Sequence, residues 1–226
     1  MHMRIKQLLF LVFIFFLLIT FIGVYANYTK TDDLDLLGKV IYIDPGHGGR
    51  DSGTTYNGIL EKDLNLQISL ILSEELGKRG AIIYMTRTDD SDLSSIYDKY
   101  KKRGDLYRRI RLISNKDIDC DVYLSIHINW YDNPYWGGAE ILYNSVNSKN
   151  KLLGEVILKH LKQDTGTKRA LKKTDLYMYR NLNIPGVLIE CGFLSNYRDR
   201  TNLQNKNYQL KLANSIADAV VEYFSI

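Results

Sequence analysis

Val40-Ile41-Tyr42-Ile43-Asp44-Pro45-Gly46-His47 begins as a short apolar, β-branched run and is cut off by Asp-Pro-Gly. Such a run reads as a buried strand that ends in a sharp turn. Val122-Tyr123-Leu124-Ser125-Ile126-His127 repeats the pattern and also ends on a histidine. A third apolar run, Gly186-Val187-Leu188-Ile189, ends on Glu190. Between the first two runs the period changes. Leu64, Ile68, Ile71 and Leu72 recur at helical spacing, which predicts a helix over 61–78. Further strands are expected at 81–85 and 139–143. Further helices are expected over 99–115, over 152–161 and around Leu212, Ile216 and Val220. Alternating strand and helix from Lys39 onward predicts an α/β domain with a central, mostly parallel sheet covered on both faces.

Composition narrows the function classes. The chain has 226 residues, 45% hydrophobic and 25% charged, which excludes a disordered or collagen-like chain. One domain is the default at this length. A net charge of +4 is too small to argue for a nucleic-acid partner. Two cysteines cannot make a disulfide scaffold, and Cys120 and Cys191 read as buried free thiols. The 17 tyrosines suit a surface that grips polar, extended ligands. Arg4 and Lys6 precede an uncharged run from Leu8 to Tyr25, the pattern of an export signal. Residues 1–26 are therefore expected to be a signal peptide or a signal anchor. Residues 27–38 form a polar tether, and 39–226 the working domain. The remainder is expected to act outside the cytoplasm, touching a membrane only through the N-terminal segment.

Four residues carry chemistry. His47 and His127 close two strands, and ligands sit beyond the carboxyl ends of strands in open parallel sheets. Glycines around His47 permit close approach of a ligand or metal. Glu61 falls in the first helical turn after this loop, where a carboxylate also suits the helix dipole. Glu190 ends an apolar strand, where a carboxylate is costly unless it is paired or functional. Two histidines and one carboxylate are a common ligand set for catalytic zinc. A second carboxylate beside the metal takes a proton from water and hands it to a leaving amine. The residues alone do not decide which glutamate is ligand and which is base.

The motifs Ile43-Asp-Pro-Gly-His47-Gly-Gly, Glu61-Lys-Asp-Leu-Asn65-Leu, Thr86-Arg87 with Asp90, Ser125-Ile-His127-Ile-Asn129 and Glu190-Cys-Gly-Phe-Leu-Ser-Asn196 occur in that order. In this the chain resembles the zinc-dependent N-acetylmuramoyl-L-alanine amidases of the amidase-3 family. Arg103-Gly-Asp-Leu-Tyr-Arg-Arg109, Trp136-Gly-Gly-Ala-Glu140 and the single N-terminal hydrophobic segment are most similar to the germination-specific subgroup. The resemblance implies a twisted, mostly parallel sheet of about six strands between helices. It implies one Zn2+ per chain held by His47, Glu61 and His127, with Glu190 as the catalytic carboxylate. The implied substrate is peptidoglycan, a glycan strand with its stem peptide. The bond is the amide between N-acetylmuramic acid and L-alanine, cut so that muramic-δ-lactam forms in the spore cortex. A protein partner is compatible with the sequence but not readable from it.

Other residues have supporting roles or rival readings. Asp44 is expected to accept the second N–H of an imidazole, or simply to make the turn before Pro45. Asn129, two after His127, is expected to bind substrate or brace its loop. Arg87 is expected to order a loop rather than touch substrate. The basic stretch 99–111 reads as a solvated helix face. Ile128-Asn-Trp-Tyr-Asp-Asn-Pro-Tyr-Trp136 is more aromatic than the small residues common there in the family, which bears on the groove and not on the chemistry. The rival functions are a zinc peptidase that cuts within the stem peptide and an inactive peptidoglycan-binding module.

Overall fold

The computed structural model describes residues 7, 10, 12–20 and 34–226. Residues 12–20 are helical and exposed, and belong to a unit of their own, Met1–Leu34. Most of the expected export segment and tether lies outside the described residues. Among the described residues, no helix is long and apolar enough to cross a membrane.

In the second unit, Asp35–Ile226, the runs read as strands pair into one sheet. Its strands are β1 (Val40–Pro45), β4 (Ile82–Met85), β5 (Val122–Asn129), β6 (Glu140–Tyr143), β7 (Leu171–Lys173) and β8 (Gly186–Phe193), in the order β4-β1-β5-β8-β6-β7. β4, β1, β5 and β8 run parallel, and β6 lies antiparallel to β8 with β7 parallel to it. A two-stranded hairpin, β2 (Thr55–Tyr56) with β3 (Ile59–Leu60), stands apart from the sheet. The hairpin and β7 are too short to show a period in the sequence.

Alternation divides the core in two. Ile41 and Ile43 of β1, Leu124 and Ile126 of β5, and Val187 and Ile189 of β8 face one side. There they pack on α1 (Glu61–Lys78), α3 (Asn150–Thr165) and α6 (Lys206–Ser225). Tyr42, Tyr123 and Leu188 face the other side, with Ile113 of α2 (Lys101–Ile113) and Met178 and Tyr179 of α4 (Tyr177–Arg180). The short α5 (Tyr197–Leu203) follows β8 and is capped by the Asn196 side chain accepting from the Asp199 N–H. Helices thus cover both faces of a mostly parallel sheet. Leu36, at the end of the expected tether, is buried, and its N–H donates to the Arg79 carbonyl at 2.9 Å. Cys120 and Cys191 are free and buried.

Register decides what the sheet delivers. His127 on β5 pairs with Glu190 on β8, and Glu190 pairs with Glu140 on β6. Register partners project to the same face. Three polar side chains are thus aligned across neighbouring strands, on the face away from Ile126 and Ile189.

Candidate metal centre

Glu61 is the first residue of α1, and its carboxylate lies between His47, two residues past β1, and His127, inside β5. Its Oε1 is 3.2 Å from His47 Nε2 and 3.1 Å from His127 Nδ1. Donor atoms of His47, Glu61 and His127 all lie within 4.8 Å of one another. The Glu61 oxygens also accept N–H bonds from Thr54 at 2.8 Å and Ile128 at 3.2 Å, and from the Asn65 amide at 3.3 Å. These fix the carboxylate before anything binds. Burial alone would push its pKa up, but the two imidazoles hold it well below the usual carboxylate range. Burial alone would lower the His47 pKa, but Glu61 and Asp51 carry it up.

Two glycines make this approach possible. A Cβ on Gly46 would sit 2.2 Å from the His127 ring, and one on Gly53 would sit 2.5 Å from Glu61 Oε2. His47 itself adopts φ 62, a left-handed conformation uncommon for a side chain of this kind. Glu190 lines the same cleft as His47, Glu61 and His127, along with Asn129 and Trp130. It is buried, and its Oε2 has no hydrogen-bond partner among the described residues. Burial first, then the nearby charge of Glu61, pushes the Glu190 carboxyl well up from its ordinary value.

A second group of residues holds the His47 loop from behind. Arg109 donates to Asp44 Oδ1 and the Pro45 carbonyl at 2.7 Å, and to the His47 carbonyl at 2.6 Å. Arg87 donates to the carbonyls of Pro45 and Gly46 at 3.0 Å, and to that of Lys62 at 2.8 Å. Both arginines are buried. Three successive carbonyls around the strained histidine are therefore held by two guanidiniums, whose rigid forks reach several acceptors at once. Arg87 does order a loop, as expected.

Arg109 departs from the solvated face expected of 99–111. Its position on α2 turns it into the sheet, where Asp44 needs a counter-charge. Of the two expectations for Asp44, contact with an imidazole is not met. It accepts from Thr86 at 2.6 Å, Ser125 at 2.8 Å and Arg109. The turn after Pro45 carries His47 away from Asp44, and Asp51 Oδ2 instead lies 3.0 Å from His47 Nδ1. Asp51 and Arg109 were not found from sequence. The spacing His47 to Asp51 carries no signal outside a helix, and Arg109 sits among six other basic residues in 99–111. Asn129 lines the cleft. Its Oδ1 accepts from the Trp130 N–H at 2.8 Å, past a register shift between His127 and Asn129.

The pattern of the amidase-3 family, described as N-acetylmuramoyl-L-alanine amidase, matches residues 41–222, the sheet and helices that build this cleft. The chain belongs to this family. The amidase is therefore a hydrolase that acts on the N-acetylmuramoyl-L-alanine bond of peptidoglycan. It is 35% identical to the germination-specific N-acetylmuramoyl-L-alanine amidase of Bacillus subtilis (strain 168), over 100% of this chain and 97% of that one. It is 31% identical to the probable cell wall amidase LytH of Staphylococcus aureus, over 91% of this chain and 65% of that one. Among solved structures it is similar to the CwlD amidase of Clostridioides difficile in complex with the GerS lipoprotein. There the TM-score is 0.79 and the identity 34%, covering 83% of this chain and 99% of that one.

Proposed function

We propose that the amidase is zinc-dependent, with His47, Glu61 and His127 as ligands and Glu190 as the catalytic carboxylate. One observation carries the reading. Two imidazole nitrogens and a carboxylate oxygen converge within 4.8 Å in the cleft that also holds a buried Glu190 oxygen without a hydrogen-bond partner among the described residues. The donor set N, N, O suits zinc, a borderline cation that keeps one position open in catalytic sites. When bound, zinc supplies Lewis acidity, polarising the scissile carbonyl and lowering the pKa of water.

The chain's own residues do the rest. Glu61, preset by three N–H donors, keeps the two histidines facing one point. Glu190 accepts a proton from the water that attacks the carbonyl carbon. It returns that proton to the nitrogen of L-alanine as the C–N bond breaks. Burial pushes its pKa up, which favours its holding the proton between the two transfers. Asp51 Oδ2 lies 3.0 Å from His47 Nδ1, placing a negative charge behind the ring. Asn129, at the rim of the cleft, is read as a substrate contact.

The biological setting is carried by the relatives. Full-length similarity to a germination-specific amidase supports removal of stem peptides during spore cortex formation, on the muramic-δ-lactam route. Similarity to a probable cell wall amidase supports work outside the cytoplasm, with residues 1–26 as signal peptide or anchor, 27–38 as tether and 39–226 as catalytic domain. The Clostridioides difficile complex supports a protein partner for this chain too.

The test replaces each glutamate by glutamine and measures zinc per protein and turnover on intact peptidoglycan. Glu61→Gln is expected to lose zinc. Glu190→Gln is expected to keep zinc and lose about 10²–10⁴-fold in rate. The opposite pattern exchanges the two roles. Product masses showing cleavage inside the stem peptide would replace the reading with that of a peptidase. No products from zinc-loaded protein would leave a binding module.

A further inference from the structure

The aromatic segment after β5 has no part in holding the metal ligands, yet it borders them. Trp130 lines the cleft that contains His47, Glu61, His127 and Glu190. From there the chain lays out Trp130, Tyr131 and Trp136, which are 39%, 48% and 44% exposed. Exposed aromatic side chains gathered in one place mark an interaction site. These rings are also held in position. Tyr131 and Trp136 pack with centroids 4.7 Å apart, and Trp130 lies 6.1 Å from Tyr56 of the β2–β3 hairpin.

Two arginines support the rings. The Arg169 guanidinium sits 4.3 Å from the Trp136 centroid and 4.8 Å from that of buried Phe193, and its Nε donates to the Gly137 carbonyl at 3.0 Å. Arg200 sits 3.9 Å from the Tyr56 centroid and donates to the Leu194 carbonyl at 2.8 Å. Cation–π contact and backbone anchoring fix the rings before any ligand arrives. A fixed surface loses little conformational freedom on binding.

We infer that Tyr56, Trp130, Tyr131 and Trp136 form a shelf for the glycan strand, binding sugars beyond the one that carries the scissile amide. The inference rests on the amidase reading above. A pyranose ring offers a face of C–H groups and a rim of hydroxyls. The C–H face matches the electron-rich face of an aromatic ring. The rim would meet the side chains of Asp132 and Asn133, which are exposed on the same loop. The reaction places a sugar polymer on one side of the bond and a peptide on the other, so the substrate must leave the cleft in two directions. Lys102 also borders the cleft; its charge acts on Asp51, and it forms no salt bridge among the described residues. A cation at the cleft suits the carboxylates of a stem peptide, which leaves the aromatic rings to the uncharged sugars.

The experiment compares two substrates: glycan chains carrying stem peptides, and a single N-acetylmuramoyl peptide with the same stem. Trp130→Ala, Trp136→Ala and their double variant are assayed alongside wild type and Tyr107→Ala, which removes an exposed aromatic on α2 away from the cleft. Zinc content is measured for each. The shelf variants are expected to raise KM on the chains by ~10-fold, the worth of one aromatic contact of about 1.4 kcal/mol, and to do so far less on the single muropeptide. They are also expected to lose binding to peptide-free glycan chains, while Tyr107→Ala keeps it. Equal losses on both substrates would mean that the shelf holds peptide, and would overturn the inference. Unchanged KM on the chains, with zinc retained, would overturn it as well. Wild type inactive on both substrates while loaded with zinc would sink the amidase reading itself, a result distinct from either.

Discussion

Two loops leave neighbouring strands at the same edge of the sheet and are built in opposite ways. The loop after β1 carries His47 and is gripped from within by Arg87 and Arg109, both buried. The loop after β5 runs from Trp130 to Gly138 and keeps most of its rings in solvent. The first must place one nitrogen 3.2 Å from a carboxylate oxygen while its histidine holds φ 62. Backbone strain of that kind persists only where surrounding contacts over-determine it. The second has only to offer faces, and one arginine against Trp136, with Tyr56 packed near Trp130, is enough. Chemistry demands buried, many-bonded support, whereas polymer binding tolerates an exposed loop held by a few contacts.

The largest effect is expected from Arg109→Ala. It strands the buried Asp44 carboxylate and frees the carbonyls of Pro45 and His47. Removing one partner of a buried pair costs about 3–5 kcal/mol. Denaturant midpoints of the metal-free protein should fall accordingly, and zinc affinity should fall with them. Arg109→Lys should restore only part, since an ammonium cannot reach three acceptors as a planar fork does. A loss below 1 kcal/mol for Arg109→Ala would erase the contrast between the loops.

Gly46→Ala is expected to come next, and to separate folding from site geometry. The new methyl would collide with the His127 ring 2.2 Å away. Overpacking of this kind typically costs about 1–3 kcal/mol. Zinc content should drop sharply while far-ultraviolet circular dichroism stays native. Full zinc occupancy would show that the His127 ring has freedom the structure does not suggest.

Asp44→Asn sharpens the comparison through pH. Burial alone would raise the Asp44 pKa, but Arg109 and the hydroxyls of Thr86 and Ser125 bring it below its ordinary value. A depressed carboxylate stabilises the fold fully above its unfolded pKa. That contribution is lost as the pH falls through the folded pKa. Metal-free wild type should therefore lose stability in acid more steeply than Asp44→Asn, and the two curves should converge at low pH. At neutral pH the variant should be less stable by about 1–3 kcal/mol. Parallel curves would mean that Asp44 does not carry the charge of this cluster.

The smallest effect is expected on the other loop. Tyr135 is 92% exposed, and replacing it by alanine should change stability by no more than about 0.5 kcal/mol. A larger drop in melting temperature would show that the shelf loop is as tightly bound into the fold as the His47 loop.

Local sequence was enough for the elements that repeat a period. α1 occupies Glu61–Lys78, as the spacing of Leu64, Ile68 and Leu72 predicts, and β1, β5 and β8 are the three apolar runs, but their ends differ from expectation: β1 stops at Pro45, two residues before His47, while β5 and β8 run on past His127 and Glu190 to Asn129 and Phe193. A strand buried on both faces is apolar nearly throughout, so a polar residue among its apolar neighbours stands out without any structure. The family motifs added the partners of those residues in order along the chain. The short elements, β2, β3, β7 and α4, carry too few residues for a period to show.

What only the tertiary structure decided is which side chains touch across long separations. Asp44 and Arg109 are 65 residues apart, and Glu61 and His127 are 66 apart. Nothing near Arg109 in the chain distinguishes it from Arg108, whose partner is the half-buried Asp98. One residue of rotation about α2 turns the first into the sheet and leaves the second at the surface. The same holds for Gly46, whose need to be glycine comes from a ring on another strand, and for Asp51, which reaches His47 only because the loop between them doubles back. Sequence determined the residue types along and just after the strands, because burial of a whole strand is a local requirement. Their partners were set by sheet register and helix rotation, which depend on every element packing at once.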